Sequence, residues 1–174
     1  EELKKKLSFL YEKNLFSLDI DQIQKNLTNE QFIDSFTIKK VYPSTLVINI
    51  VEKKLLAILI EKKSKFYITE KGEIIEFYDI KNYEKIPTVF RGGEKFIYLY
   101  NELVNIKFPT EKIKSYYYFD SGRWDLILQD EITIKLPIND YKYSLENFVS
   151  SYLDMNFKNY KIFDYRIKNQ LILN

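Results

Sequence analysis

Between Arg123 and Pro137 the chain alternates apolar and polar residues with a strict period of two, first one way and then back. Trp124, Leu126 and Leu128 fall on one side while Asp125 and Ile127 fall on the other. The return run sets Ile132, Ile134 and Leu136 against Thr133 and Lys135. Such alternation is the signature of half-buried strands. With Gln129, Asp130 and Glu131 as the loop, Leu128 faces Ile132, so both apolar sets share one core. This predicts a β-hairpin whose loop lacks the Gly that three-residue turns usually place at their left-handed position.

Elsewhere the pattern changes period. Leu3, Leu7 and Leu10 recur at helical spacing among Glu and Lys, predicting an amphipathic helix over 1–11 that is already in progress at the first residue. Asp19 is placed to cap a second helix that buries Ile20, Ile23 and Leu27. Ile33 to Val41 and Leu46 to Val51 read as strands joined through Tyr42-Pro43-Ser44-Thr45. Leu55 to Ile60 is a further apolar run, Gly72 serves a hairpin between Phe66-Tyr67-Ile68 and Glu73-Ile74-Ile75, and Arg91-Gly92-Gly93 reads as a flexible break. Phe96, Tyr100, Leu103 and Ile106 mark a helix that ends before Pro109. Ile113 to Phe119 is a Tyr-rich strand, Tyr141 to Met155 a helix, and Ile162 to Leu173 one long final strand in which Phe163, Tyr165, Ile167, Leu171 and Leu173 share a parity. The expected class is therefore α+β, with a domain boundary near Glu52-Lys53-Lys54.

Composition removes several chemistries. The chain of 174 residues has no Cys and no His, which eliminates Cys/His zinc sites, thiol nucleophiles and imidazole acid-base catalysis. A net charge of +2 implies no strong field toward nucleic acid, and Lys is interleaved with Asp and Glu rather than gathered on one face. The fifteen Tyr and thirteen Phe read as core and strand residues before they read as a base-stacking surface. No run of about 20 apolar residues could span a bilayer. The chain opens on Glu rather than Met, and is read as a fragment whose anchor or signal lies upstream.

Asp120, Asp125, Asp130 and Glu131 could supply a carboxylate pair for glycan hydrolysis, but a turn, an outward strand position and a loop are places where charge is ordinarily solvated. Trp124 reads as a core anchor. Arg166 has two readings that stay open, an intramolecular pair with Asp164 or a contact to a partner.

The order of motifs resembles the FtsQ/DivIB family of bacterial division proteins. The resemblance rests on Asn14-Leu15-Phe16-Ser17-Leu18-Asp19, Val41-Tyr42-Pro43-Ser44-Thr45-Leu46, Glu52-Lys53-Lys54, Glu70-Lys71-Gly72 and Ile86-Pro87. It continues through Arg123-Trp124-Asp125-Leu126, Ile134-Lys135-Leu136-Pro137 and Ile162-Phe163-Asp164-Tyr165-Arg166. Leu55 departs from the Pro that the family commonly has at its domain junction, and the hairpin loop at Asp130-Glu131 lacks its Gly.

The resemblance implies a POTRA-like domain over 1–56, lacking its first strand and the membrane anchor, and a larger, mostly antiparallel β-domain with packed helices over 57–174. It also implies a non-catalytic scaffold with no cofactor and no nucleic-acid partner. Such a scaffold would be held by an upstream spanning helix in the cytoplasmic membrane and would bind divisome proteins of the FtsB/FtsL type outside it. The implied partner-binding residues are Arg123, Arg166, Ile167, Asn169 and Leu171, with the partner adding as a strand at the last edge. Two rival classes stay open, a POTRA-bearing assembly or secretion component and an envelope glycan hydrolase.

Overall fold

A computed structural model describes residues 7–10, 14–78, 86–152 and 159–174. The chain divides into two compact units, residues 1–54 and 55–174.

In the first unit, helix α1 (Ile20–Thr28) starts where Asp19 predicts: its carboxylate accepts from the N–H groups of Asp21 and Gln22 at 3.0 and 3.3 Å. Strands β1 (Ile33–Val41) and β2 (Thr45–Glu52) pair antiparallel, with Ile38 opposite Ile48. Leu18, Ile23 and Leu27 fill a small core against Ile33, Phe36, Ile38 and the facing residues of β2. The helix expected over 1–11 falls mainly outside the described residues; its described part, Ser8–Leu10, is a single 3-10 turn.

Among the described residues the second unit is a nine-stranded sheet with two α-helices. Its strands are β3 (Leu55–Glu61), β4 (Ser64–Thr69), β5 (Ile74–Glu76), β6 (Thr88–Phe90), β7 (Ile113–Tyr118), β8 (Trp124–Leu128), β9 (Thr133–Lys135), β10 (Ile162–Asp164) and β11 (Ile172–Leu173). They lie in the order β11-β10-β9-β8-β7-β6-β3-β4-β5. Five of the eight pairings are antiparallel, while β3/β6, β6/β7 and β9/β10 are parallel. The parallel joins need crossovers, and the helices belong to them: α2 (Gly93–Asn105) lies between β6 and β7, and α3 (Tyr141–Tyr152) between β9 and β10.

One parity of the sheet faces these helices. Leu59, Val89, Tyr116, Leu126, Ile134 and Phe163 stand in register across six strands, all but fully buried, and pack with Phe96, Leu99 and Leu103 of α2 and Leu145 and Phe148 of α3. Among the described residues the Tyr116 hydroxyl finds no hydrogen-bond partner, and burial pushes its pKa up so that it stays neutral.

The central hairpin has the expected register. The Leu128 N–H donates to the Ile132 carbonyl at 2.9 Å, and Trp124 is buried on the core face. With no Gly in the loop, Glu131 takes the left-handed position at φ 67°. At Arg91-Gly92-Gly93 the structure replaces the expected flexible break with a tight helix start. Gly92 sits at φ 66°, where a Cβ would lie 2.6 Å from the Tyr118 ring, and Gly93 is already the first residue of α2.

The last segment also differs from expectation. Ile162 to Leu173 is not one strand: β10 ends at Asp164, the Gln170 N–H closes a turn on the Ile167 carbonyl at 3.1 Å, and β11 folds back antiparallel on β10. Asn169 adopts φ 60° in that turn, a conformation Asn tolerates better than most residues.

Candidate partner-binding edge

The parity of the sheet opposite the helices carries the charge. Asp125 on β8 pairs across to Lys135 on β9, Lys135 to Asp164 on β10, and Asp164 to Ile172 on β11, so negative, positive and negative residues alternate along one registered row toward the edge. An arginine flanks each carboxylate. The Arg123 Nε donates to Asp125 at 3.3 Å while its guanidinium lies 4.0 Å from the Phe119 ring centre. Arg166 grips Asp164 with both Nε, at 2.8 and 3.0 Å, and Nη2, at 2.6 Å, and its backbone N–H adds a bond of 3.1 Å.

The two carboxylates respond in opposite directions. Burial raises the pKa of Asp125 even though Arg123, Lys135 and Arg166 all pull it down. The hydrogen bonds from Arg166 hold Asp164 below the ordinary carboxylate range, against the opposing effect of its burial. Asp164 therefore stays ionised well below neutral pH and keeps Arg166 in place. Three cations against two carboxylates leave the row one positive charge, and the Arg166 side chain remains 44% exposed where Asp164 is 10%.

Arg123 and Arg166 thus stand at the two carboxylates of one registered row, each bonded to its own aspartate. Ile167, Asn169 and Leu171 are not strand residues. Ile167 and Asn169 belong to the turn and are exposed, and Leu171, half-buried, packs against the core just before β11. The physical reason is the fold-back itself, which moves the free margin from β10 to β11. Both readings of Arg166 have a basis in the geometry: it is committed to Asp164 and still presents a face to solvent.

Sequence reasoning missed three features. Asp125 is buried rather than solvated, because Arg123 and the neighbouring strands cover it. Lys135 stands between the two aspartates, for which the only signal was its shared parity with Asp125 in the hairpin. Third, a groove of about 710 Å³ runs beside the turn, between the N-terminal half of α3 and residues 165–171, with Ile138, Tyr143 and Ile167 exposed along it. Tyr165 forms part of its wall and its hydroxyl donates to Asn147 at 2.9 Å. No group of three or more acidic ligands suited to a metal occurs among the described residues.

The two units define a bidomain α+β protein, and the comparisons with known proteins say to which family it belongs. Residues 1–53 match the model of the FtsQ-type POTRA domain, and residues 57–166 match that of the C-terminal region of cell division protein FtsQ/DivIB. The cell division protein FtsQ of Rickettsia bellii is 32% identical over 170 residues, which covers 90% of this chain and 60% of that protein. FtsQ of Rickettsia conorii is 28% identical over 165 residues, with the same two coverages. The major extracytoplasmic domain of the division protein DivIB from Geobacillus stearothermophilus is similar at a TM-score of 0.42 and 16% identity, covering 62% of this chain and 99% of that one. The chain belongs to the FtsQ/DivIB family of bacterial cell division proteins. It spans about 60% of the length of the Rickettsia relatives.

Proposed function

We propose that this protein is a non-catalytic scaffold of the divisome, with residues 1–56 acting as a POTRA domain and 57–174 as the partner-binding β-domain. It works on the extracytoplasmic side of the cytoplasmic membrane, held by a single spanning helix upstream, and binds division proteins of the FtsB/FtsL type by strand addition at β11. The observation that carries this reading is the position of β11: it ends the strand order and pairs on one side only among the described residues.

The pairing tells which backbone groups are offered. Ile162 and Asn174 exchange both hydrogen bonds, at 2.9 and 3.1 Å, so the alternation of an antiparallel ladder turns Ile172 inward to Asp164 and leaves the N–H and C=O of Leu171 and Leu173 pointing outward. Four outward groups at about 1 kcal/mol per hydrogen bond provide roughly 4 kcal/mol, against about 8 kcal/mol for micromolar affinity. Strand addition alone is therefore too weak. The rest comes from side chains: the solvent face of Arg166 takes a partner carboxylate, and the groove beside α3 takes an apolar side chain.

Leu171→Pro tests the mode. Proline removes an outward donor without disturbing the bonds between β11 and β10, so calorimetry is expected to show partner binding reduced about fivefold or more while the variant stays folded. Unchanged affinity in a folded variant contradicts strand addition.

A further inference from the structure

We propose that Asp125 is a pH-sensitive charge switch of the partner-binding edge: acidification neutralises it, raises the positive charge of the row and strengthens the hold on an acidic partner. The inference rests on the partner reading above and adds the regulation of that same site. The geometry sets Asp125 apart from Asp164, although both are buried to 7% exposure. Burial of Asp164 is offset by four hydrogen bonds from Arg166, of 2.6–3.1 Å. Asp125 accepts one long bond of 3.3 Å from the Arg123 Nε, and that guanidinium also lies over the Phe119 ring. A buried carboxylate with one long bond gains the less from staying ionised. The groups around it come from every neighbouring strand. Tyr117 faces it from β7 and Lys135 from β9, and Asp164 with Arg166 stands on the far side of Lys135.

Burial outweighs the pull of the neighbouring cations and raises the pKa of Asp125, whereas that of Asp164 is lowered. As the pH falls, Asp125 therefore takes its proton first. Between the two titrations Asp164 keeps its charge and its bonds to Arg166, while the row passes from one net positive charge to two. Arg123, no longer held by an opposite charge, is then open to a partner carboxylate. The fold survives this change. A raised folded-state pKa contributes stability that is present at low pH and lost as the pH rises through it, so the neutral form of Asp125 leaves the sheet intact. The chain has no His, so a raised carboxylate is the kind of side chain left to respond between the ordinary carboxylate range and neutrality.

The test has two parts. Carboxyl-carbon NMR follows both aspartates of the free chain through pH, and Asp125 is expected to titrate above the ordinary aspartate range and Asp164 below it. Calorimetry with the extracytoplasmic segment of an FtsB/FtsL-type partner compares the wild-type chain with Asp125→Asn at about pH 7.5 and about pH 5. At the higher pH the variant is expected to bind about threefold more tightly, and on acidification the wild type is expected to gain that factor relative to it. Carboxylates of the partner titrate equally in both experiments, so the difference belongs to Asp125. Titration of Asp125 together with or below Asp164 overturns the proposal, whether or not the variant folds. An equal pH response of the two chains does so as well. Titration as expected, with a bound partner that leaves the amides of Leu171 and Leu173 unprotected, supports the switch while the β11 reading falls.

Discussion

Arg166→Glu is expected to weaken binding of an FtsB/FtsL-type partner by about 30-fold or more, the equivalent of roughly 2 kcal/mol or above for a desolvated charge contact. The substitution changes the registered row from one net positive to one net negative charge. It also sets a new carboxylate against Asp164, with Asp125 close enough to interact. A partner carboxylate that was drawn to the edge is then repelled from it. Lys25→Glu, exposed in the last turn of α1 in the other unit, serves as the control and leaves affinity unchanged. Isothermal titration of both variants with the extracytoplasmic segment of the partner decides the matter. Equal affinities mean that Arg166 serves only its bond to Asp164.

Phe148→Ala is expected to destabilise the second unit by about 3–5 kcal/mol, the range for removing a fully buried aromatic. The Phe148 ring lies between the helix layer and the sheet: its centre is 5.9 Å from Phe108, 5.4 Å from Tyr152 and 4.9 Å, edge to face, from Phe163 on β10. Against a typical domain stability of about 5–15 kcal/mol this is a large share. Because Phe163 anchors the strand on which β11 folds back, partner affinity falls along with stability. Urea denaturation measures the first effect, and a loss below about 1 kcal/mol indicates that the cavity collapses at little cost and that β10 is held by its neighbours instead.

Where the sequence was legible, one local rule was enough. The alternation from Trp124 to Leu136 determined both the face and the register of the hairpin, because slipping by one residue would have turned Trp124, Leu126 and Ile134 to the wrong side. Asp19 announced the start of α1 because its short carboxylate, just ahead of the periodic apolar residues, can accept from the first N–H groups of the helix. The final segment misled for a reason of parity. Phe163 and Leu173 face each other in the hairpin and are both odd-numbered, so the apolar set reads the same whether the chain runs straight or folds back at 167–170. The asparagine at 169 was the one local sign of a turn.

Burial of Asp125 lay beyond reach for another reason. It depends on β7 and β9, which flank β8 only through the strand order, while the charges of Lys135 and Arg166 that act on Asp125 come from two later segments. The groove beside α3 is equally non-local, since Ile138, Tyr143 and Ile167 lie up to thirty positions apart in the chain. Arg123 and Arg166 lie toward the β11 end of the sheet, and the margin expected on one long final strand lies one strand further out, on β11.

The bare margin is the claim on which partner binding rests, and amide hydrogen exchange at single-residue resolution tests it most directly. In the free protein the amides of Ile172 and Asn174, bonded inward to β10, are expected to exchange slowly and those of Leu171 and Leu173 quickly. With saturating partner the Leu171 and Leu173 amides are expected to become protected. If both still exchange at their free rates while the partner is fully bound, the partner sits elsewhere and the β11 edge is not its site.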